Sequence, residues 1–288
     1  MNRFGIIGHL DRPQIKKITN EIISWSEKNG IECRICNDLA RLVGSEDISS
    51  DLNDIWKCSD VIISLGGDGS MLSSARVAGP HGIPVLGINL GGLGFLTEIS
   101  ENQLFRSLER LKSDDFEIEE RMMLEASVPD LDSDSHMALN DVVYDHGYAS
   151  NLAKLDLYSN DHYVCSYDAD GIIISSPTGS TAYSLSAGGP IMNPLMDALI
   201  VNPISPHTLT LRPIVFPSTD KITVKAVGKG RKIRISTDGR ILGNLEYEQT
   251  SSVRKSDHRL KLIKLNGDSF FEILRSKLHW GARPLLNS

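Results

Sequence analysis

The chain has no basic excess, no long apolar run and few cysteines, and each shortage removes a class of function. Its 30 Lys and Arg stand against 37 Asp and Glu, a net charge of -7 over 288 residues. A nonspecific nucleic-acid surface, which would be basic, is therefore not expected. No apolar stretch approaches the roughly 20 residues needed to cross a bilayer, and Met1-Asn-Arg-Phe-Gly5 lacks the basic and apolar regions of a secretory leader. A cytoplasmic protein without membrane contact is expected. The 4 cysteines, Cys33, Cys36, Cys58 and Cys165, are irregularly spaced, as in a reducing compartment. Cys33 and Cys36 have a metal-ligand spacing, but no second Cys or His pair lies at zinc-finger distance, so a packing role is expected. Two phosphate-binding signatures are also missing. The first strand is not followed by Gly-x-Gly-x-x-Gly, and Gly-x4-Gly-Lys-Ser/Thr occurs nowhere, which removes the ordinary dehydrogenase and P-loop readings.

What is present reads as two domains, with 40% hydrophobic residues to fill their cores. Phe4 to Gly8, Ile31 to Cys36, Val61 to Leu65 and Pro84 to Ile88 are short apolar runs alternating with helical ones, the signature of a Rossmann-like α/β domain with a mostly parallel sheet. Pro13 to Lys28 repeats Ile15, Ile18, Ile22 and Trp25 at helical spacing, with Asp11 as the expected cap and Gly30 as the stop. A helix near Glu101 to Lys112 follows. Beyond it come many short strands, among them Ala138 to Tyr144, Gly171 to Ser176, Thr208 to Val215, Lys221 to Val227, Lys232 to Ser236 and Arg259 to Leu265. Ser159-Asn-Asp161 and Gly228-Lys-Gly230 read as hairpin turns. The expected division is an α/β domain over residues 1–100 rejoined by 269–288, and a β-rich domain of β-sandwich type over 101–268, with a dinucleotide lying in the cleft between them.

Two glycine-rich blocks carry chemistry. Ile63-Ser-Leu-Gly-Gly-Asp-Gly-Ser70 puts Asp68 in a glycine turn after a buried run and before a helical one, where an open α/β sheet delivers backbone N–H groups to phosphate oxygens. The second runs from Asp170 to Pro190 and contains Ser176-Pro-Thr-Gly-Ser-Thr-Ala-Tyr-Ser184, which supplies hydroxyls, free N–H groups near an expected helix start at Thr181, and an aromatic face at Tyr183. This mixture suits adenine and ribose recognition. Asn140 and Asp141 end an apolar run, offering an amide for a nucleobase edge and a carboxylate for a ribose diol.

These blocks, with Gly87-Ile-Asn-Leu-Gly-Gly-Leu-Gly-Phe-Leu96 and Leu139-Asn-Asp-Val-Val143 between them, resemble the NAD kinase family, and the likeness extends to Ser276-Lys-Leu-His-Trp280. Gly-Gly-Asp-Gly alone is shared with phosphofructokinases and with diacylglycerol or sphingosine kinases, so the block from Asp170 to Pro190 is the discriminating piece. The resemblance implies a Mg²⁺-dependent enzyme that transfers the γ-phosphoryl of ATP to the adenosine 2′-hydroxyl of NAD. It implies Asp68 as general base or as ligand to Mg²⁺, and Gly69, Asn140, Asp141, Asp170, Thr181, Ala182, Tyr183 and Ser186 as NAD contacts, with Asp170 at the nicotinamide end. It also implies a homotetramer or homodimer. Bacterial relatives often carry an arginine two residues before the aspartate of the second block; Asp168 stands there in this chain, which leaves the choice between NAD and NADH open. Thr237-Asp-Gly-Arg240 resembles more weakly a hairpin near the donor region of some relatives. A lipid kinase and a dinucleotide sensor without turnover are the competing readings. The first would want a basic or apolar membrane-facing surface, and the second has no need of Asp68.

Overall fold

The computed structural model describes residues 1–281 apart from 93, 98, 130–135, 148–151, 209, 230–231, 266 and 268. The chain divides into two units: Met1–Glu119 with Lys261–Ser288, and Glu120–Leu260. The boundary thus falls later than residue 100 and earlier than residue 268. The helix Leu104–Lys112 explains the first difference, because Leu104, Leu108 and Leu111 are buried in the core of the first unit, with Ile22, Ile35 and Ile88. The second arises in the strand Thr250–Lys264, whose last residues include Ile263, part of that same core.

In the first unit the strands Ser49–Ser50, Glu32–Cys36, Arg3–Gly8, Val61–Gly66 and Val85–Asn89 lie side by side in this order, all parallel. Ile99–Ser100 and Leu262 pair with Val85–Asn89, also in parallel. The chain winds outward from Arg3–Gly8 and then returns to its other side as Val61–Gly66. A switch point therefore lies at the carboxyl ends of these two strands, where open α/β sheets place their ligands. Gly8 is in register with Leu65 there, and the His9 amide donates to the Leu65 carbonyl at 3.2 Å. Every residue of Val61–Gly66 is buried, as a central parallel strand requires. The helix Ile15–Lys28 buries Ile15, Ile18 and Ile22 on one face, as its spacing predicts. Its first residue is preceded by Gln14 without a side-chain cap, so Asp11 does not serve as one. Gly30 closes it at φ 69°.

The second unit is a sandwich of antiparallel sheets. One face carries His162–Ala169, Ala153–Ser159, Ile222–Ala226 and the start of Thr250–Lys264. The other is six-stranded, in the order Ile214–Pro217, Ala198–Ile204, Gly171–Ser175, Asp141–Asp145, Ile233–Thr237 and Arg240–Leu245. Leu155, Leu157, Tyr167 and Val224 of the first meet Val142, Tyr144, Ile172, Val201 and Ile235 of the second in one apolar core. Asn160 and Asp161, at φ 47° and 67°, make the expected hairpin turn between Ala153–Ser159 and His162–Ala169. The segment at Gly228 is not a hairpin. Ile222–Ala226 and Ile233–Thr237 belong to different sheets, and Gly230 lies outside the described residues. Two strands, Ala198–Ile204 and Arg240–Leu245, were not expected, and the strand expected over 208–215 is Ile214–Pro217. Among the described residues no helix is long and apolar enough to cross a membrane.

Candidate active site

In the first unit the strand Val61–Gly66 ends in a turn that only glycine can make. Gly66 has φ 147°, and a Cβ on it would meet Ser70 Oγ at 2.1 Å. Gly67 precedes the helix Asp68–Ala78 without a side-chain cap. The amides of Ser70 and Met71 turn back to the Gly67 carbonyl, whereas those of Asp68 and Gly69 find no acceptor among the described residues. Two backbone donors thus stand open at the positive end of a helix, beside a carboxylate.

That carboxylate is not loose. Asp68 Oδ2 accepts from the Phe95 amide and Oδ1 from the Leu96 amide, both at 3.0 Å. Lys277 of the helix Phe270–Leu278 places Nζ 3.6 Å from Oδ2 and 4.6 Å from the centre of the Phe95 ring. The side chain keeps 33% of its surface exposed. The stretch Gly87 to Leu96, which the sequence marks only through the family likeness, is what closes around Asp68. Asn89 anchors it by donating to the Gly92 carbonyl at 3.0 Å and accepting from the Gly91 amide at 2.8 Å. A Cβ on Gly94 would stand 2.2 Å from Asp68 Oδ1. Leu93 of this stretch lies outside the described residues.

Arg12 sits in an irregular loop with no motif around it, so nothing in the sequence marks it. Its guanidinium spans both glycine turns: Cβ atoms built on Gly91 and Gly67 would lie 3.0 Å from Nη1 and 3.8 Å from Nη2. It pairs with no acid among the described residues. Nearby, a cavity of about 560 Å³ opens against Ile7, Gly8, Cys36, Asn37 and Leu52. This is within the size range of small-ligand pockets.

In the second unit Asp141–Asp145 pairs with Gly171–Ser175, so that Asp141 faces Ser175 and Asp145 faces Gly171. Asn140, Asp141 and the segment 176–186 therefore gather at one end of this pair. Asp170 stands at the other end, roughly 13 Å away along the strand. At the first end Ser176 donates its amide to the Asn140 carbonyl at 2.9 Å and its hydroxyl to the Leu139 carbonyl at 2.5 Å. Gly179 packs so closely that a Cβ on it would meet the Asn140 carbonyl oxygen at 2.1 Å. From the opposite side the Asp238 carboxylate accepts from the amides of Leu139, Asn140 and Asp141 at 2.8, 2.8 and 3.1 Å. The side chains of Asn140 and Asp141 make no hydrogen bond among the described residues. Asp141 is only 5% exposed. Burial, and then the neighbouring Asp238 charge, push its carboxyl up to about 7.

Thr178–Thr181 is a 3₁₀ turn and Tyr183–Ser186 a single helical turn, so no helix begins at Thr181. Ala182 links the two turns, and its amide donates to the Gly179 carbonyl at 2.9 Å. Thr181 Oγ1 donates to the Thr178 carbonyl at 3.2 Å. Tyr183, 46% exposed, and Ser186 face outward. Gly189 is a packing glycine, since a Cβ there would meet Ser184 Oγ at 2.4 Å. At the far end Asp170, 47% exposed, has His146 Nε2 3.5 Å from Oδ1. That histidine was another residue without a sequence signal. Asp168 pairs with Lys154 across the strands at 3.7 Å. Cys33, Cys36, Cys58 and Cys165 are free thiols, and among the described residues no three His, Cys, Asp or Glu side chains cluster as a metal cage.

Comparison with known proteins agrees with both halves. The ATP-NAD kinase N-terminal domain family matches residues 4–116 and the ATP-NAD kinase C-terminal domain family matches residues 139–265. The NAD kinase of Caldanaerobacter subterraneus subsp. tengcongensis is 41% identical over 280 residues, 96% of this chain and 99% of that protein. The NAD kinase of Geobacter metallireducens is 38% identical over 285 residues, 98% of this chain and all of that one. Among solved structures, yeast NADH kinase complexed with NADH superposes with a TM-score of 0.91 at 24% identity, covering 100% of this chain and 90% of that one. An NAD kinase from Archaeoglobus fulgidus in complex with ATP gives 0.74 at 23% identity, covering 96% and 98%. Both share the fold of an α/β domain with a mostly parallel sheet and an antiparallel β domain. The chain belongs to the NAD kinase family.

Proposed function

We propose that this chain transfers the γ-phosphoryl of ATP to the 2′-hydroxyl of the adenosine ribose of NAD, with Asp68 as the general base. The observation that carries the proposal is the setting of Asp68. Its two oxygens are aimed by the Phe95 and Leu96 amides at the mouth of the phosphate turn, yet each keeps a further lone pair for an incoming hydroxyl proton. The open amide of Asp68, with the Arg12 guanidinium, takes the donor's phosphate oxygens, and the cavity beside Ile7 and Asn37 takes its nucleoside.

Mg²⁺ fits this arrangement. It is commonly held by one or two carboxylates plus substrate phosphates rather than by a protein cage, and Asp68 is a carboxylate in reach of the phosphate turn. Bound there, the ion would neutralise phosphate charge. The chain's own residues position the donor and remove the acceptor's proton.

In the second unit Asn140 reads the adenine edge and Asp141 accepts from the ribose diol. Thr181, Ala182, Tyr183 and Ser186 line the same end, and Asp170 holds the nicotinamide end. The separation of the two groups by a strand's length suits an extended dinucleotide. Gly69 adds a backbone contact to NAD. We place the enzyme in the cytoplasm as a homotetramer or homodimer, an assembly that light scattering on the purified chain measures.

Incubating purified protein with ATP, Mg²⁺ and either NAD or NADH, and scoring the phosphorylated product, tests the reaction and the preference left open by Asp168. NAD binding without product would establish the sensor reading instead.

A further inference from the structure

We propose that Asp238 is a positioning residue for the acceptor dinucleotide, acting through the backbone of residues 139–141 to aim the side chains of Asn140 and Asp141. The inference rests on the reading of those two side chains as acceptor contacts.

The sequence Thr237-Asp-Gly-Arg240 has the plain role of a hairpin turn, and the structure shows that role. Thr237 pairs with Arg240, and the two residues between them lie at φ 46° and 78°, a two-residue turn of the kind that favours Asn-Gly or Asp-Gly. A turn needs nothing more from the side chain. Here, however, the Asp238 carboxylate leaves its own hairpin to take three consecutive amides of another segment, Leu139, Asn140 and Asp141, at 2.8 to 3.1 Å. The Asp238 amide donates in turn to the Asp141 carbonyl at 3.0 Å. On the other side the Leu139 and Asn140 carbonyls are taken by Ser175 and Ser176.

The outcome is a segment whose backbone polar groups are all spent on the protein while its side chains are spent on nothing. Asn140 and Asp141 have no side-chain hydrogen bond among the described residues, and Asp141 is 5% exposed. A buried carboxylate without a donor is costly, and the cost is relieved when a ligand brings donors to it. Two hydroxyls of a ribose diol are such donors. The choice of a carboxylate at position 238 has the same logic. Its two oxygens offer about four lone-pair sites, enough for three amides, whereas an Asn carboxamide would turn its NH₂ toward one of those N–H groups. The carboxylate is kept even though its charge opposes ionisation of the neighbouring Asp141. A residue chosen only to make the turn would not carry that penalty.

Asp238→Asn separates the two roles, because Asn-Gly is a favoured pair for this turn and preserves the hairpin while removing one side of the clamp. NAD binding is measured by calorimetry on the full chain, and KM for NAD, KM for ATP and kcat by turnover. Asp238→Asn is expected to weaken NAD, in Kd and in KM, about tenfold, the scale of one charge-assisted hydrogen bond. Asp238→Ala is expected to weaken it further, while KM for ATP and kcat stay within about threefold of the parent. Folded Asp238→Asn with parental NAD affinity overturns the proposal. So does a parallel loss of affinity for both substrates with a lowered Tm, which marks a structural residue. A parent that binds NAD without phosphorylating it refutes the kinase reading alone, since the calorimetric comparison of the variants still decides the role of Asp238.

Discussion

Two aspartates, one in each unit, occupy opposite chemical settings. Asp68 receives two amides and faces the Lys277 ammonium. The Asp141 side chain receives no hydrogen bond among the described residues and has a second acid, Asp238, beside it. The first is surrounded by groups that complement a negative charge and hold the side chain in place at the glycine turn. The second is buried beside a like charge, and its hydrogen-bonding capacity is unspent among the described residues. In the proposed function the same side chain serves chemistry in one unit and recognition in the other, and the difference lies in its neighbours.

The largest effect should come from breaking the Asp68 side of this contrast. Asp68→Asn keeps shape but loses the proton acceptor, and general-base assistance contributes ~10²- to 10⁴-fold. We expect kcat to fall at least about a hundredfold with NAD affinity within a few-fold of the parent; turnover close to the parent's would remove Asp68 from the mechanism. Next in size is Gly94→Ala, whose Cβ would lie 2.2 Å from Asp68 Oδ1 and must displace the carboxylate or the loop that aims it. We expect kcat to drop on the order of tenfold or more. Gly92→Ala, with nothing within 4 Å of the new Cβ, is the control and should stay near the parent. Equal behaviour of the two alanine variants would show that the loop does not aim Asp68.

On the second unit's side, Tyr183→Ala removes an exposed ring at the Asp141 end. Stacking of a base on an aromatic is worth roughly 1 to 3 kcal/mol, so KM for NAD should rise by roughly tenfold with KM for ATP little changed. Losses shared equally between the substrates would make the ring structural.

The smallest effects are in pH. The folded chain holds a proton on Asp141 up to about 7, whereas an unfolded Asp releases it at about pH 4. The unfolded state therefore binds fewer protons between these values, and the Asp141 contribution to stability is lost as pH rises through that window. Asp141→Asn carries no charge, so its Tm relative to the parent should be higher at pH 8 than at pH 4. A Tm difference that is the same at both would mean that Asp141 does not titrate in this way.

The sequence by itself determined the alternation of apolar runs and helices in the first unit, the dense strands of the second, and the two glycine-rich blocks. These signals are local: a buried strand, an amphipathic helix or a glycine turn is written in consecutive residues. Tertiary structure alone decided what the blocks touch. Sequence places Asp68 in a glycine turn, but amides 27 and 28 residues away hold its carboxylate. In the first unit Arg12 and Lys277 reach the Asp68 turn from a loop and from the C-terminal helix, and in the second Asp238 reaches residues 139–141 from a hairpin turn while His146 reaches Asp170, contacts that no motif or spacing states. The strand Arg240–Leu245 was missed because Gly243 and Asn244 break its apolar alternation, and pairing with Ile233–Thr237 overrides that weak propensity. A hydrogen bond or ion pair depends on which distant residues share a volume, and one-dimensional spacing does not carry that information.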